Sequence, residues 1–323
     1  MIVPVWVWVA TVAGFGALIV VDVWQARRPH AVGLREAALW SAVYVGAAAL
    51  FAAGLFVFAG SGPGMEFTTG YLVEKTLSID NLFIFAVVMS SFAVPVRHRS
   101  KVLLIGIVGA LVMRVLFIVA GAELVQRFTV MFLLFGVLLV YTAVRMVRSH
   151  GAVMDVNGSR LMRWARQRLP VAESGDGALV VRRPFAVTGL GLAVLGLLSV
   201  DVLFALDSIP AIFGITQNVY LVLCANAFAL LGLRALYFLL VGLLERLVHL
   251  HYGLSVVLAL IGVKLMLHYA HDLHPAIPEI PTWLSLSVIA AVLGVTTVTS
   301  LRASSAYVDD AQPSAYADIH DKH

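Results

Sequence analysis

The stretch from residue 70 to residue 92, GYLVEKTLSIDNLFIFAVVMSSF, is apolar enough to cross a lipid bilayer, yet it holds Glu74, Lys75 and Asp80. An ionised Asp or Lys at the centre of a membrane helix costs about 2.5–3.5 kcal/mol on insertion scales. Charges kept at that cost have a partner or a task, and the rest of the chain must say which.

The surroundings are lipid-seeking throughout. Of the 323 residues, 61% are hydrophobic and 12% charged, and the mean hydropathy is +0.96. Soluble domains use roughly 45–50% apolar residues. Windows long enough to span the hydrocarbon, about 20 residues, fall at 3–23, 37–60, 70–94, 102–121, 129–147, 185–217, 219–243, 253–270 and 283–301. These predict an all-α polytopic membrane protein with about nine transmembrane helices. The first window has neither a basic leader nor a small-residue cleavage site, so it is expected to stay as a helix.

Basic residues gather in alternate connections: Arg27, Arg28 and Arg35 after the first span, Arg97, Arg99 and Lys101 after the third, and the largest group between Arg148 and Arg183 after the fifth. By the positive-inside rule these connections are cytoplasmic, with the N-terminus outside and the C-terminus inside. The net charge of +4 and pI near 9.3 therefore read as topology signals, not as a nucleic-acid surface. Residues 148–184 are expected to be a basic cytoplasmic linker with an interfacial piece near Leu161–Leu169, and 303–323 a polar, disordered tail. A single cysteine, Cys224, offers neither a disulfide nor a thiolate metal site.

The charged stretch has a counterpart. In DVLFALDSIPAIFGIT, Asp201 and Asp207 repeat Glu74 and Asp80 at an offset of 127 residues (201 − 74 and 207 − 80), and Asn81 and Ser208 follow the second acid in each. GALVMRVLFI around Arg114 matches ALLGLRALYF around Arg234, and FGVLLV matches IGVKLM, which contains Lys264. The chain thus divides into two N-terminal spans (1–64), a three-helix unit (65–147), the linker, a second three-helix unit (185–271) and a final span (272–302). Loop charges give spans three and six opposite directions, so the repeat is expected to be inverted, a mark of secondary transporters.

Arg114 and Arg234 are expected to neutralise some of the four acids, and Lys75 and Lys264 to act as further charge partners. Six residues on an ideal helix turn through about 240°, so Glu74 and Asp80 cannot both face one cavity unless the helix is interrupted. Pro210 favours a break in span six, since it cannot donate to the carbonyl of Leu206 and leaves that oxygen free beside Asp207. Carboxylates, amides, hydroxyls and a freed carbonyl form a hard oxygen set suited to Mg, Ca or Mn. His249, His251, His268, His271 and His274 cluster at helix ends and read as ordinary helix-end residues, not ligands.

At these residues the sequence resembles the TerC family of integral membrane proteins, which includes Alx-type manganese exporters. The resemblance covers about residues 65–270 and is carried by GYLVEKTLSIDNLFIFAVV, the FAVP that follows, GIVGALVMRVLFI and DVLFALDSIPAIFGITQNVYLVLCANAFALLGLRALYFLL. It implies manganese(II) efflux across a bacterial inner membrane, with Glu74, Asp80, Asp201 and Asp207 on the ion path and Asn81, Ser208 and Asn226 as oxygen partners. One departure is Ala225, where the family usually places a hydroxyl before the asparagine. The expected substrate is a divalent metal ion, with the bilayer as the other partner and no cofactor. An assembly or stress factor without transport, and an intramembrane aspartyl protease, stand as alternatives; Ile79 and Leu206 before the aspartates lack the glycine usual in such proteases.

Overall fold

A computed structural model describes residues 3–26, 33–148, 167–168, 171–172, 179–182, 185–240 and 250–317. Hydrocarbon offers the backbone no hydrogen-bond partner, so a spanning chain must satisfy its own N–H and C=O groups. The described residues accordingly fold into ten helices: α1 (Val5–Ala26), α2 (Leu34–Phe58), α3 (Ser61–Ser91), α4 (Val96–Arg127), α5 (Val130–Arg148), α6 (Gly189–Phe213), α7 (Val219–Leu230), α8 (Leu233–Leu240), α9 (Leu250–Leu273) and α10 (Thr282–Ala317). Eight spans among them, α7 and α8 together forming one, are long and apolar enough to cross a membrane. The ninth expected span is α3, 31 residues long and charged at Glu66, Glu74, Lys75 and Asp80. Most of the 148–184 linker, and the end of the tail, lie outside the described residues.

A small sheet was not anticipated. Three short strands, β1 (Val171–Ala172), β2 (Val180–Arg182) and β3 (Phe185–Thr188), pair in the order β1-β3-β2 just before α6. The β-branched residues Val180, Val181 and Val187 suit extended backbone. Thr188 ends β3 and caps α6, its hydroxyl accepting from the Gly191 amide at 3.2 Å.

Helix directions follow from contacts along each pair. α3 runs parallel to α7, with Gly70 against Ala225 and Lys75 reaching Ala229. α4 runs parallel to α6, with Gly106 against Leu197 and Gly121 against Phe213. Across the middle, α3 and α6 are antiparallel: Glu66 meets Thr216 at one end and Phe92 meets Leu192 at the other. α5 and α9 are antiparallel too, with Phe132 against His268 and Val140 against Gly262. They cross backbone to backbone at Gly136 and Gly262, where a Cβ on either glycine would lie 2.8 Å from the other's carbonyl oxygen.

The outer faces are apolar and exposed, as lipid contact requires: Val112, Leu116 and Val119 on α4, Leu50, Val57 and Phe58 on α2. The opposite stripe of α4 (Leu103, Ala110, Arg114, Ile118, Ala122) is buried against α6. That buried stripe carries the charge, the reverse of a soluble amphipathic helix.

Candidate functional site

Both charged helices are unbroken through their acids. α6 continues past Pro210 to Phe213, so the proline sits in the last turn and leaves the carbonyl of Leu206 without its usual donor while the helix goes on. The Leu206 side chain faces outward and is 54% exposed. The interruption lies instead in span seven, where α7 ends at Leu230 and α8 begins at Leu233, with Gly232 between them at φ 78°. Only glycine adopts that conformation without strain, and the Tyr44 ring packs where a Cβ would stand, 2.6 Å away.

Continuous helices send the acids in different directions. Glu74 and Asp201 turn inward to one guanidinium: Arg114 donates from Nη1 to Glu74 Oε2 at 2.8 Å and from Nη2 to Asp201 Oδ1 at 3.2 Å. Its Nη1 also donates to Ser208 Oγ at 3.3 Å. All four side chains are buried, with Arg114 and Glu74 fully enclosed. Two carboxylates against one guanidinium leave the cluster one positive charge short. Several buried polar atoms on these helices and on α7 have no close hydrogen-bond partner among the described residues: Glu74 Oε1, Asp201 Oδ2, Arg114 Nε, Ser78 Oγ and both amide atoms of Asn226. Asn226, on α7, stands beside Glu74. Buried polar atoms are nearly always satisfied, so a group of orphans points to something that fits among them.

Asp207 points elsewhere. It accepts from Thr142 of α5 at 2.9 Å and lines a small cavity with Leu77, Asn81, Phe204 and Leu254. Asn81 therefore sits with Asp207, not with the Arg114 cluster. The side chain of Asp80 lies outside the described residues. No three His, Cys, Asp or Glu side chains among the described residues converge as a metal cage.

The charge partners are redistributed. Arg234 reaches a carboxylate outside the repeat: its Nε donates to Asp22 of α1 at 3.0 Å and its Nη1 to Ser100 of α4 at 3.0 Å. The break at Gly232 starts a new helix and carries Arg234 toward α1 and α2, where Tyr44 also donates to Asp22 at 3.4 Å. Asp22 was not singled out in the sequence; one acid near the end of an apolar span, close to Arg27 and Arg28, resembles an interfacial residue. Lys75 donates to the carbonyl of Ala229 at 3.3 Å, in the last turn of α7. Helix C-termini present such unsatisfied carbonyls and favour cations. Lys264 lines a cavity of about 560 Å³ with Glu66, Gln217, His268 and Glu279. There His268 Nδ1 lies 2.6 Å from Glu279, and His271 Nδ1 lies 2.6 Å from the Ile277 carbonyl oxygen, which ties the α9–α10 connection to α9. His249 lies outside the described residues.

With this geometry in hand, comparison with known proteins gives a consistent result. The profile described as "Integral membrane protein TerC family" matches residues 59–307. An uncharacterized membrane protein of Mycobacterium tuberculosis is 42% identical over 337 residues, covering 97% of this chain and 85% of its own. An uncharacterized membrane protein of Myxococcus xanthus is 39% identical over 278 residues, 85% of each chain. The Escherichia coli K12 protein Alx, whose name makes it a candidate membrane-bound redox modulator, is 37% identical over 285 residues, 84% of this chain and 86% of its own. No solved structure matches.

Proposed function

Because the chain belongs to the TerC family of integral membrane proteins, we propose that it is a divalent metal ion transporter, exporting manganese(II) across a bacterial inner membrane through the acidic core between α3 and α6. The observation that carries this reading is the Arg114 cluster: two buried carboxylates on one guanidinium, each with a second oxygen left without a partner. A closed apolar core tolerates that deficit poorly, and a hard cation supplies the missing charge through oxygen contacts.

The paired arrangement of α3 on α7 and α4 on α6, with α5 crossing α9 antiparallel at equivalent glycines, supports an inverted repeat. The break between α7 and α8 is of the kind found beside substrate sites in such transporters. With the N-terminus outside, the cavity around Glu66 and Lys264 opens to the exterior. Glu66 lies eight residues before Glu74 on α3, about 12 Å along the helix at 1.5 Å per residue, so it stands between that cavity and the core. The residues present do no bond-making chemistry in this scheme; Glu74 and Asp201 bind, and Arg114 holds them apart from one another. The redox role in the name of the E. coli relative would have to rest here on Cys224 alone, one buried thiol without a second cysteine.

The test is intracellular manganese under manganese load. Cells carrying the wild-type protein hold less metal than cells without it, and Glu74→Gln or Asp201→Asn abolishes the difference at unchanged protein level. Full export by both variants would sink the reading and leave the assembly-factor alternative.

A further inference from the structure

Helical Ser and Thr residues have a default partner inside a membrane: the hydroxyl donates back to the carbonyl three or four residues earlier. Thr68, Thr69 and Thr76 on α3 do so, each at 2.7 Å, as does Thr296 on α10 at 2.6 Å. Ser78, on the same helix, does not. Its side chain is fully buried and its Oγ has no partner among the described residues.

Its position explains what the hydroxyl is for. Ser78 lies one turn after Glu74, and residues four apart share a helix face. The contacts between α3 and α6, Gly70 on Ile212 and Phe92 on Leu192, put Ser78 along the axis between the level of Glu74 and the level of Asp201. The two acids are bridged there by Arg114, and Asn226 flanks Glu74 from α7. Glu74 Oε1, Ser78 Oγ and Asp201 Oδ2 are thus three oxygens without a close hydrogen-bond partner at neighbouring levels of one buried core, and the Asn226 amide, within interaction reach of Glu74, offers a fourth. Ser208 is not of this set, because its oxygen already accepts from Arg114.

Resting on the transport reading above, we propose that Ser78 is a direct ligand of the transported cation and that its hydroxyl oxygen sets the preference for hard divalent ions. Two carboxylates, a hydroxyl and an amide carbonyl form an all-oxygen donor set, which suits manganese or magnesium over thiophilic metals. This also accounts for the absence of a three-acid cage among the described residues: half of the donors are neutral. The neutral half limits how tightly the ion is held, as a site that must release its cargo requires.

A change of donor atom tests this. Purified full-length protein in liposomes is assayed for Mn²⁺ and Cd²⁺ flux as wild type and as Ser78→Ala, Ser78→Thr and Ser78→Cys, with size-exclusion elution recording the fold. Ser78→Ala should raise the Mn²⁺ concentration for half-maximal flux at least about tenfold, the lower end for perturbing a metal shell, and Ser78→Thr should retain wild-type behaviour. Ser78→Cys, a soft donor in the same place, should raise the Cd²⁺ to Mn²⁺ ratio by about tenfold or more. Wild-type concentration dependence in Ser78→Ala, or a wild-type metal ratio in folded Ser78→Cys, overturns the assignment. If Ser78→Cys fails to fold, Mn²⁺ binding to wild type, Ser78→Ala and Ser78→Thr in detergent decides, equal affinity in all three counting against it. Wild-type protein that moves neither ion defeats the transport reading itself, and the ligand assignment with it.

Discussion

At the scale of single residues, the core depends on a charge balance that tolerates little change. Arg114 is enclosed with Glu74 and Asp201. Replacing it by Met leaves two buried carboxylates without a cation, and breaking such a group from one side typically costs about 3–5 kcal/mol. Thermal unfolding in detergent should show a large fall for Arg114→Met, with part regained in Arg114→Met/Glu74→Gln, because neutralising one acid removes part of the repulsion. The four acids were legible in the sequence because a carboxylate in an apolar run has few innocent readings. Ser78 was not, since a serine in a membrane helix normally bonds its own backbone and gives no charge signal. The Arg234–Asp22 pair was not legible for a related reason: Asp22 lies 212 residues away.

Elements show where local signals mislead. Pro210 drew attention to span six, yet it stands close enough to the end of α6 that the helix survives it. The break fell in ALLGLRAL, where the only mark is Gly232 inside a long apolar run. An isolated glycine in such a run is usually tolerated in a continuous helix, so tertiary contacts decided it: the Tyr44 ring against Gly232, and Arg234 drawn to Asp22. Gly232→Ala should accordingly destabilise the protein by at least about 1–2 kcal/mol, the cost of a left-handed residue with a Cβ, with Tyr44 forced to move as well. The measurement is again thermal unfolding, compared with Gly294→Ala, where a Cβ meets nothing within 4 Å.

For the whole molecule, hydropathy was sufficient to place the spans to within a few residues, because the bilayer imposes length and composition on any segment that crosses it. How the spans pack was less legible, since lipid-facing and protein-facing leucines look alike in sequence. The first two helices illustrate this. They precede residue 59, where the family profile begins, yet α1 supplies the carboxylate for Arg234 and α2 supplies Tyr44. Asp22→Asn should therefore destabilise the core by weakening the charged hydrogen bonds from Arg234, by about 1.5–3 kcal/mol. Asp22→Arg combined with Arg234→Asp should recover part of the loss. Equal stability of Asp22→Asn and wild type would show that α1 is only an attached anchor.

The crossing of α5 and α9 bears on how such a molecule could move. Side chains that interlock must be lifted out of one another before two helices can tilt, and that repacking sets a barrier. At Gly136 and Gly262 neither residue adds a side chain, but Met266 of α9 stands over Gly136, and Val140 and Leu139 of α5 stand over Gly262, so the two helices are keyed together there. Tilting one helix on the other would unseat those side chains, so α5 and α9 are expected to move as one piece.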